Sequence, residues 1–166
     1  MIPEEIRRAI EGFLVGRQIP WQSINLHVGR LPEATEAAGG PRVPYVLVQR
    51  PVTAVGLRSW ARNLIAVGMA IGRDVFIAPS HARFDTASGL SLLVHELVHV
   101  DQYERDQFFL AKYEEAAAKT PDGRPWENPY EMEAYLVERD SYCVMVAQRV
   151  PKGRWVPLGV TLWGCG

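Results

Sequence analysis

The feature that most constrains the fold is a long apolar, helix-forming run, SGLSLLVHELVHVDQ, from Ser88 to Gln102. Leucine and valine recur in this run at positions that cover most of a helical circumference, so the predicted helix must be buried on nearly every side. A buried helix needs other elements packed around it, and a chain of 166 residues can supply them in one domain. Two histidines and a glutamate interrupt the run, and burying such groups without a partner is costly.

The interrupting residues form an H-E-x-x-H pattern, made by His95, Glu96 and His99. Residues four apart on an α-helix project within about 40° of each other, so both imidazoles can reach one ion at the ~2.0–2.1 Å of zinc–nitrogen bonds. Glu96 projects about 100° away, where it is badly placed as a ligand but can contact a water molecule at the metal. A chance pair of histidines on a core helix is the plainer explanation, but the cost of burying them favours a metal site.

A catalytic zinc site takes three protein ligands and keeps an open position, so another element must supply the third ligand. No histidine follows His99 in the chain, which excludes an H-E-x-x-H-x-x-G-x-x-H arrangement. Asp101 projects about 200° from His99 and is expected to face solvent or to brace a loop. A second helix is predicted from Pro129 to about Arg149, with Asn128 as its N-cap. Its carboxylates are the candidates for the third ligand: Glu131, Glu133 and Glu138.

The pattern resembles the gluzincin metallopeptidases, in which the H-E-x-x-H helix is followed by a helix with a Glu-x-x-Ala segment. The resemblance implies Glu131 as the third zinc ligand and Ala134 as the small residue that lets the two helices approach. Many gluzincins place an aspartate four residues after the ligand glutamate to orient a zinc-bound histidine. That position is Tyr135 here, so we expect a tyrosine hydroxyl or a backbone carbonyl to orient the ring instead. If Glu131 only caps its helix, Glu133 or Glu138 is the ligand.

A longer stretch, from Arg73 to Tyr135, resembles small bacterial H-E-x-x-H proteins, some of which are encoded in gene clusters for extracellular contractile injection systems. The gluzincin resemblance implies a zinc-dependent endopeptidase with one Zn²⁺ per chain, acting on a peptide or protein substrate. In such an enzyme Glu96 is the general base, and Tyr135, Tyr130 or His81 can hydrogen-bond the oxyanion. The alternative is a non-hydrolytic zinc-binding scaffold or interaction module with a zincin fold, against which the intact Glu96 argues.

The whole chain predicts one α+β domain over residues 1–166, minimal and zincin-like, with a small antiparallel or mixed sheet packed on the two helices. An N-terminal helix is expected from Pro3 to Val15, and one long helical pattern from Asp85 to Ala118, with Thr86 or Ser88 as its cap. Strands are predicted at residues 24–30, 45–50, 54–60, 64–69 and 74–79, and a turn at residues 72–74. We expect the last of these strands to be a sheet edge to which a substrate peptide adds.

The net charge of −1 provides no long-range attraction to nucleic acid or to an anionic membrane. The sequence shows neither a signal-peptide pattern nor an apolar run of about 18 residues, so a cytoplasmic protein without a membrane partner is expected. No feature indicates an oligomeric state.

The two cysteines, Cys143 and Cys165, are expected as free thiols, with a single bridge between them as the alternative. A Pro/Gly-rich tail from about residue 151 is expected to cover an apolar face of the helices. A sharper hypothesis puts the Cys165 thiolate on the zinc ion, where it would keep the enzyme latent.

Overall fold

The computed structural model describes residues 1–28, 67–121 and 123–166. The strands predicted at residues 45–50 and 54–60, and half of the one at 64–69, lie outside the described residues. The described elements are, in chain order, α1 (Glu4–Ile10), β1 (Asn25–Val28), β2 (Gly68–Ile71), β3 (Asp74–Ile77), α2 (Ala87–Arg105), α3 (Phe109–Lys119), α4 (Pro129–Ala147) and α5 (Leu158–Trp163). Helices and a small mixed sheet make this an α+β fold, as predicted.

Helix α2 is the centre of the core. Thr86 caps it, because its hydroxyl accepts a hydrogen bond from the amide of Gly89. Every residue from Ala87 to Gln102 is buried, which confirms the prediction of a helix covered on all sides. Helix α4 packs along one side of α2, and Ala134 of α4 is fully buried.

The prediction of one continuous helix from Asp85 to Ala118 is wrong. Helix α2 ends at Arg105, and Asp106 adopts an extended conformation. The Asp106 carboxylate then accepts a hydrogen bond from the amide of Phe108, which stabilises the turn into α3. A straight helix would place Tyr113 about 21 Å along the axis from His99, whereas the two rings lie 6.0 Å apart. The turn therefore folds α3 back over the middle of α2.

The sheet has the order β1–β3–β2, with β1 parallel and β2 antiparallel to β3. Gly72 has a φ of 60° at the hairpin between β2 and β3, which confirms the predicted turn. The prediction of β3 as a sheet edge is wrong, because it pairs on both sides. Val75, Phe76 and Ile77 are all buried, and such a continuous apolar run is typical of a central strand.

The chain after α4 returns to the start of α2. The carbonyls of Pro151 and Lys152 accept hydrogen bonds from the amides of Ala87 and Ser88, so they satisfy groups that a helix start leaves free. Helix α5 then packs on α4, where Gly159 lies so close to a backbone carbonyl of α4 that a Cβ atom would meet its oxygen at 2.7 Å.

A disulfide joins Cys143 of α4 to Cys165 after α5. The expectation of two free thiols is therefore wrong, and so is the hypothesis of a Cys165 thiolate on the metal. Leu162 and Trp163 are 38% and 37% exposed, so α5 covers the helices with only part of its apolar surface. Among the described residues, no helix combines the length and the apolar character that crossing a membrane requires.

Candidate metal centre

Three side chains converge between α2 and α4. The Nε2 atoms of His95 and His99 are 3.2 Å apart. Glu131 places Oε2 at 3.3 Å from Nε2 of His95 and Oε1 at 3.5 Å from Nε2 of His99. Four-coordinate zinc with bonds of ~2.0–2.1 Å separates its ligand atoms by about 3.3 Å. The three donor groups therefore lie at the mutual distances that one ion requires, and they could hold a metal ion.

The outer nitrogen of His95 faces a carboxylate. Its Nδ1 lies 3.3 Å from Oε2 of Glu138, and both side chains are buried. A carboxylate accepts hydrogen bonds, so in the neutral ring this contact places the proton on Nδ1 and leaves Nε2 with a lone pair directed at the cluster. Glu138 therefore orients the ring, and it does not join the three ligand groups.

The outer nitrogen of His99 faces a neutral amide. Its Nδ1 lies 2.8 Å from Oε1 of Gln102. The Gln102 amide group donates to Oε2 of Glu133 at 2.9 Å and to the carbonyl of Tyr130 at 3.1 Å. Both of these partners are acceptors, so the amide orientation is fixed and its oxygen must accept from His99. The neutral ring of His99 then also presents a lone pair on Nε2.

These contacts correct the expectation that a tyrosine hydroxyl or a backbone carbonyl would orient a ligand ring. Glu138 lies seven residues after Glu131, which is two helical turns and the same face of α4. Gln102 lies three residues after His99, which also places it on the side of its histidine. Helical spacing could therefore have found both residues.

Glu133 belongs to an outer ion-pair network. It accepts hydrogen bonds from Arg17 at 2.6 Å and from Arg105 at 3.1 Å. Arg17 also donates to Asp101 at 2.9 Å, and the amide of Gln18 donates to the same carboxylate at 2.8 Å. Asp101 thus braces the loop after α1, which is one of its two predicted roles, and Glu133 stands apart from the three converging side chains.

Two tyrosines contact the cluster in different ways. The ring of Tyr135 packs edge-on against His95 with centroids 4.8 Å apart, and its hydroxyl forms no hydrogen bond with any residue that the structure describes. The hydroxyl of Tyr113 donates to Oε1 of Glu131. Burial, reinforced by the nearby carboxylates, raises the pKa of both phenols, so both keep their protons. Tyr113 was missed because its position depends on the turn at Asp106.

The other two oxyanion candidates are engaged elsewhere. The ring of Tyr130 packs edge-on against Phe109 at 5.2 Å. His81 contacts the hydroxyl of Ser80 at 2.8 Å and packs against Trp155 at 5.3 Å. Neither side chain has a described contact with the three converging groups.

Glu96 lies on a different face of α2, against β2. Its side chain packs on Gly68, where a Cβ atom would meet its Oε1 at 2.5 Å. The residue is only 4% exposed, and its carboxylate forms no hydrogen bond within the described part of the chain. Burial raises the pKa of Glu96 to about 7, although the charges of His95 and His99 oppose the shift.

The three converging groups stabilise one another as charges when no metal is present. Burial alone would lower the pKa of His95, but hydrogen bonds with Glu131 and Glu138 raise it well above its usual value. Burial also lowers the pKa of His99, but the negative charge of Glu131 outweighs burial, so the pKa of His99 is raised. The pKa of Glu131 is held well below its usual range, because the histidine charges and hydrogen bonds outweigh burial.

Residues 53–107 match the family model described as the eCIS core domain. The match covers about a third of the chain and includes His95, Glu96 and His99, whereas Glu131 and Tyr135 lie beyond it. It confirms the resemblance in part, since it links the chain to extracellular contractile injection systems. Comparisons with curated proteins and with solved structures give no match. The gluzincin resemblance stays a prediction.

Proposed function

We propose that this protein is a zinc-dependent endopeptidase whose metal ligands are His95, His99 and Glu131. The observation that carries the proposal is the separation of the donor atoms, 3.2 to 3.5 Å, between groups whose outer contacts already direct the lone pairs inward. Two imidazoles and one carboxylate are also a donor set found in catalytic zinc sites, with a further position left open. These features support zinc as the resident ion.

Zinc at such a site activates a water molecule as the nucleophile and polarises the scissile carbonyl. Glu96 is the proposed general base, since it lies next to His95 and has no competing hydrogen bond among the described residues. Burial raises the pKa of the Glu96 carboxyl, which suits a group that takes a proton from the water and returns it to the leaving nitrogen. The alternative, a non-hydrolytic zinc scaffold, gives no role to a carboxylate buried beside the ligand His95.

Tyr135 is the proposed oxyanion donor. Its ring packs on His95, and its hydroxyl is not taken by any described partner. The raised pKa keeps the proton on the phenol, which a hydrogen-bond donor needs. Tyr113 has a comparable position but donates to Glu131 instead, so Tyr135 is better suited to bind a substrate oxygen.

The proposed substrate is a peptide in an extended conformation. Strand β2 is the described strand beside Glu96, and among the described strands it pairs only with β3. An extended peptide can add to such a strand through main-chain hydrogen bonds. Strand β2 thus takes the role that the sequence predicted for β3. The match to the eCIS core domain supports an extracellular contractile injection system as the setting.

The test is a comparison of wild type, Glu96→Gln and the control Glu115→Gln, which changes a solvent-exposed glutamate on α3. We expect one zinc per chain in all three proteins, and cleavage of an unfolded protein substrate in wild type and Glu115→Gln only. Removal of the proton acceptor without a change in ligands explains the loss in Glu96→Gln. Undiminished cleavage by Glu96→Gln contradicts the proposed base, and a zinc-loaded wild type without activity favours the scaffold.

A further inference from the structure

Tyr113 makes a hydrogen bond to one particular oxygen of Glu131. Its hydroxyl donates to Oε1, and the ring is held by aromatic neighbours on three elements. The centroid distances are 5.7 Å to Phe109, 6.0 Å to His99 and 6.3 Å to Tyr130. The phenol is therefore fixed in position by packing and is not a surface side chain that meets Glu131 by chance.

The hydrogen bond makes the two oxygens of Glu131 unequal. Both oxygens face a histidine, with Oε2 at 3.3 Å from Nε2 of His95 and Oε1 at 3.5 Å from Nε2 of His99. Of the two, only Oε1 also accepts a hydrogen bond from a hydroxyl of the described residues, that of Tyr113. A carboxylate oxygen that accepts from a phenol has less electron density and less free space for a metal. The Tyr113 hydrogen bond thereby favours Oε2 as the oxygen that binds an ion.

The number of oxygens that Glu131 supplies matters for catalysis. A catalytic zinc site needs a position that the protein leaves open, and a carboxylate that binds through both oxygens occupies more of the coordination sphere. We propose that Tyr113 is a positioning residue that restricts Glu131 to one-oxygen coordination and so preserves the open position. This inference rests on the proposed metal site.

The experiment uses crystals of zinc-loaded wild type, Tyr113→Phe and Tyr130→Phe. Tyr130→Phe is the matched control, because it removes a hydroxyl from the same aromatic cluster but leaves the Tyr113 bond intact. The distances from zinc to Oε1 and Oε2 are the readout. We expect one bonded oxygen, at ~2.0–2.2 Å, in wild type and Tyr130→Phe, and two bonded oxygens in Tyr113→Phe. We also expect cleavage by Tyr113→Phe to fall by about 10- to 100-fold.

One-oxygen coordination in Tyr113→Phe overturns the inference, because the hydroxyl then does not decide how Glu131 binds. Loss of zinc from Tyr113→Phe also overturns it, since the hydroxyl would then be needed to hold Glu131 in place at all. A wild type that binds no zinc is a different result, because it removes the proposed metal site itself.

Discussion

Two faces of α2 carry the candidate metal ligands and the candidate base, and they are built in opposite ways. On the face toward α4, both histidines have a partner on each ring nitrogen. On the face toward β2, Glu96 is buried with no hydrogen bond to a described residue and with its pKa raised to about 7. We call these the ligand face and the base face.

The difference follows from what each face has to do. A ligand must hold one orientation, and hydrogen bonds to the outer nitrogens fix the tautomer and the ring. A general base must exchange protons, and a carboxylate held by several donors would lose basicity. Among the described residues, the base face is held by packing and burial, whereas the ligand face is held by polar contacts. The two faces should respond differently to mutation.

The largest expected effect comes from Glu131, the proposed third ligand on the ligand face. Glu131→Ala should lose stoichiometric zinc, because two histidines alone do not hold the ion. Glu133→Gln, which changes the neighbouring carboxylate of the outer network, should retain one zinc per chain. Metal analysis after dialysis measures both. Zinc lost only from Glu133→Gln would mean that the third ligand is misassigned.

The base face should be sensitive to an added side chain at Gly68, which packs against Glu96. Gly68→Ala should lower peptide cleavage by about 100-fold, since the new Cβ displaces the Glu96 carboxylate and a shift of about 1 Å can cost that much. Zinc affinity should not change, because no ligand is touched. Gly12→Ala is the matched control, as a Cβ atom at that position would meet no atom within 4 Å. If Gly68→Ala loses zinc instead of activity, the two faces are not independent.

Within the ligand face, the two outer partners can be ranked. Glu138→Ala and Gln102→Ala should each weaken zinc binding by about 10- to 100-fold. The loss should be greater for Glu138→Ala, because a charged acceptor polarises the imidazole more than an amide does. Competition with a chromophoric chelator gives the affinities. Equal losses would show that orientation, and not charge, is what the partners supply.

Proton competition for the two histidines should make zinc binding depend on pH. The pKa values of His95 and His99 are raised in the metal-free protein, so their charged forms persist to higher pH. Zinc needs neutral rings, and its affinity should therefore rise with pH through the raised pKa values, by about tenfold per pH unit for each proton displaced. A titration of zinc affinity against pH tests this, and an affinity independent of pH would contradict it.

Local spacing predicted the metal helix and its partner helix well. The positions of His95 and His99 follow from helical periodicity, and Asn128 with Pro129 marks the start of α4. The resemblance supplied Glu131, and the structure places this residue beside both histidines. The histidine spacing and the Asn128–Pro129 helix start each involve residues a few positions apart in the chain. They can therefore be recognised without knowledge of the folded structure.

Contacts that depend on chain reversal were not predictable in the same way. The helical pattern continues past Arg105, and nothing local distinguishes the turn at Asp106 from a further helical position. Tyr113 could not be placed without that turn. The position of β3 between two strands depends on a parallel pairing with β1, which is far away in sequence. The apolar content of Val75 to Ile77 was the available signal for a central strand.

The most direct test of the metal site is an X-ray absorption spectrum at the zinc edge, recorded on purified protein with its metal content measured. The ligand face predicts one zinc per chain, with two imidazole nitrogens at ~2.0–2.1 Å, carboxylate oxygen at ~2.0–2.2 Å and no sulfur at ~2.3 Å. A sulfur neighbour, fewer than two imidazoles, or a protein that does not retain zinc would contradict the assignment of His95, His99 and Glu131.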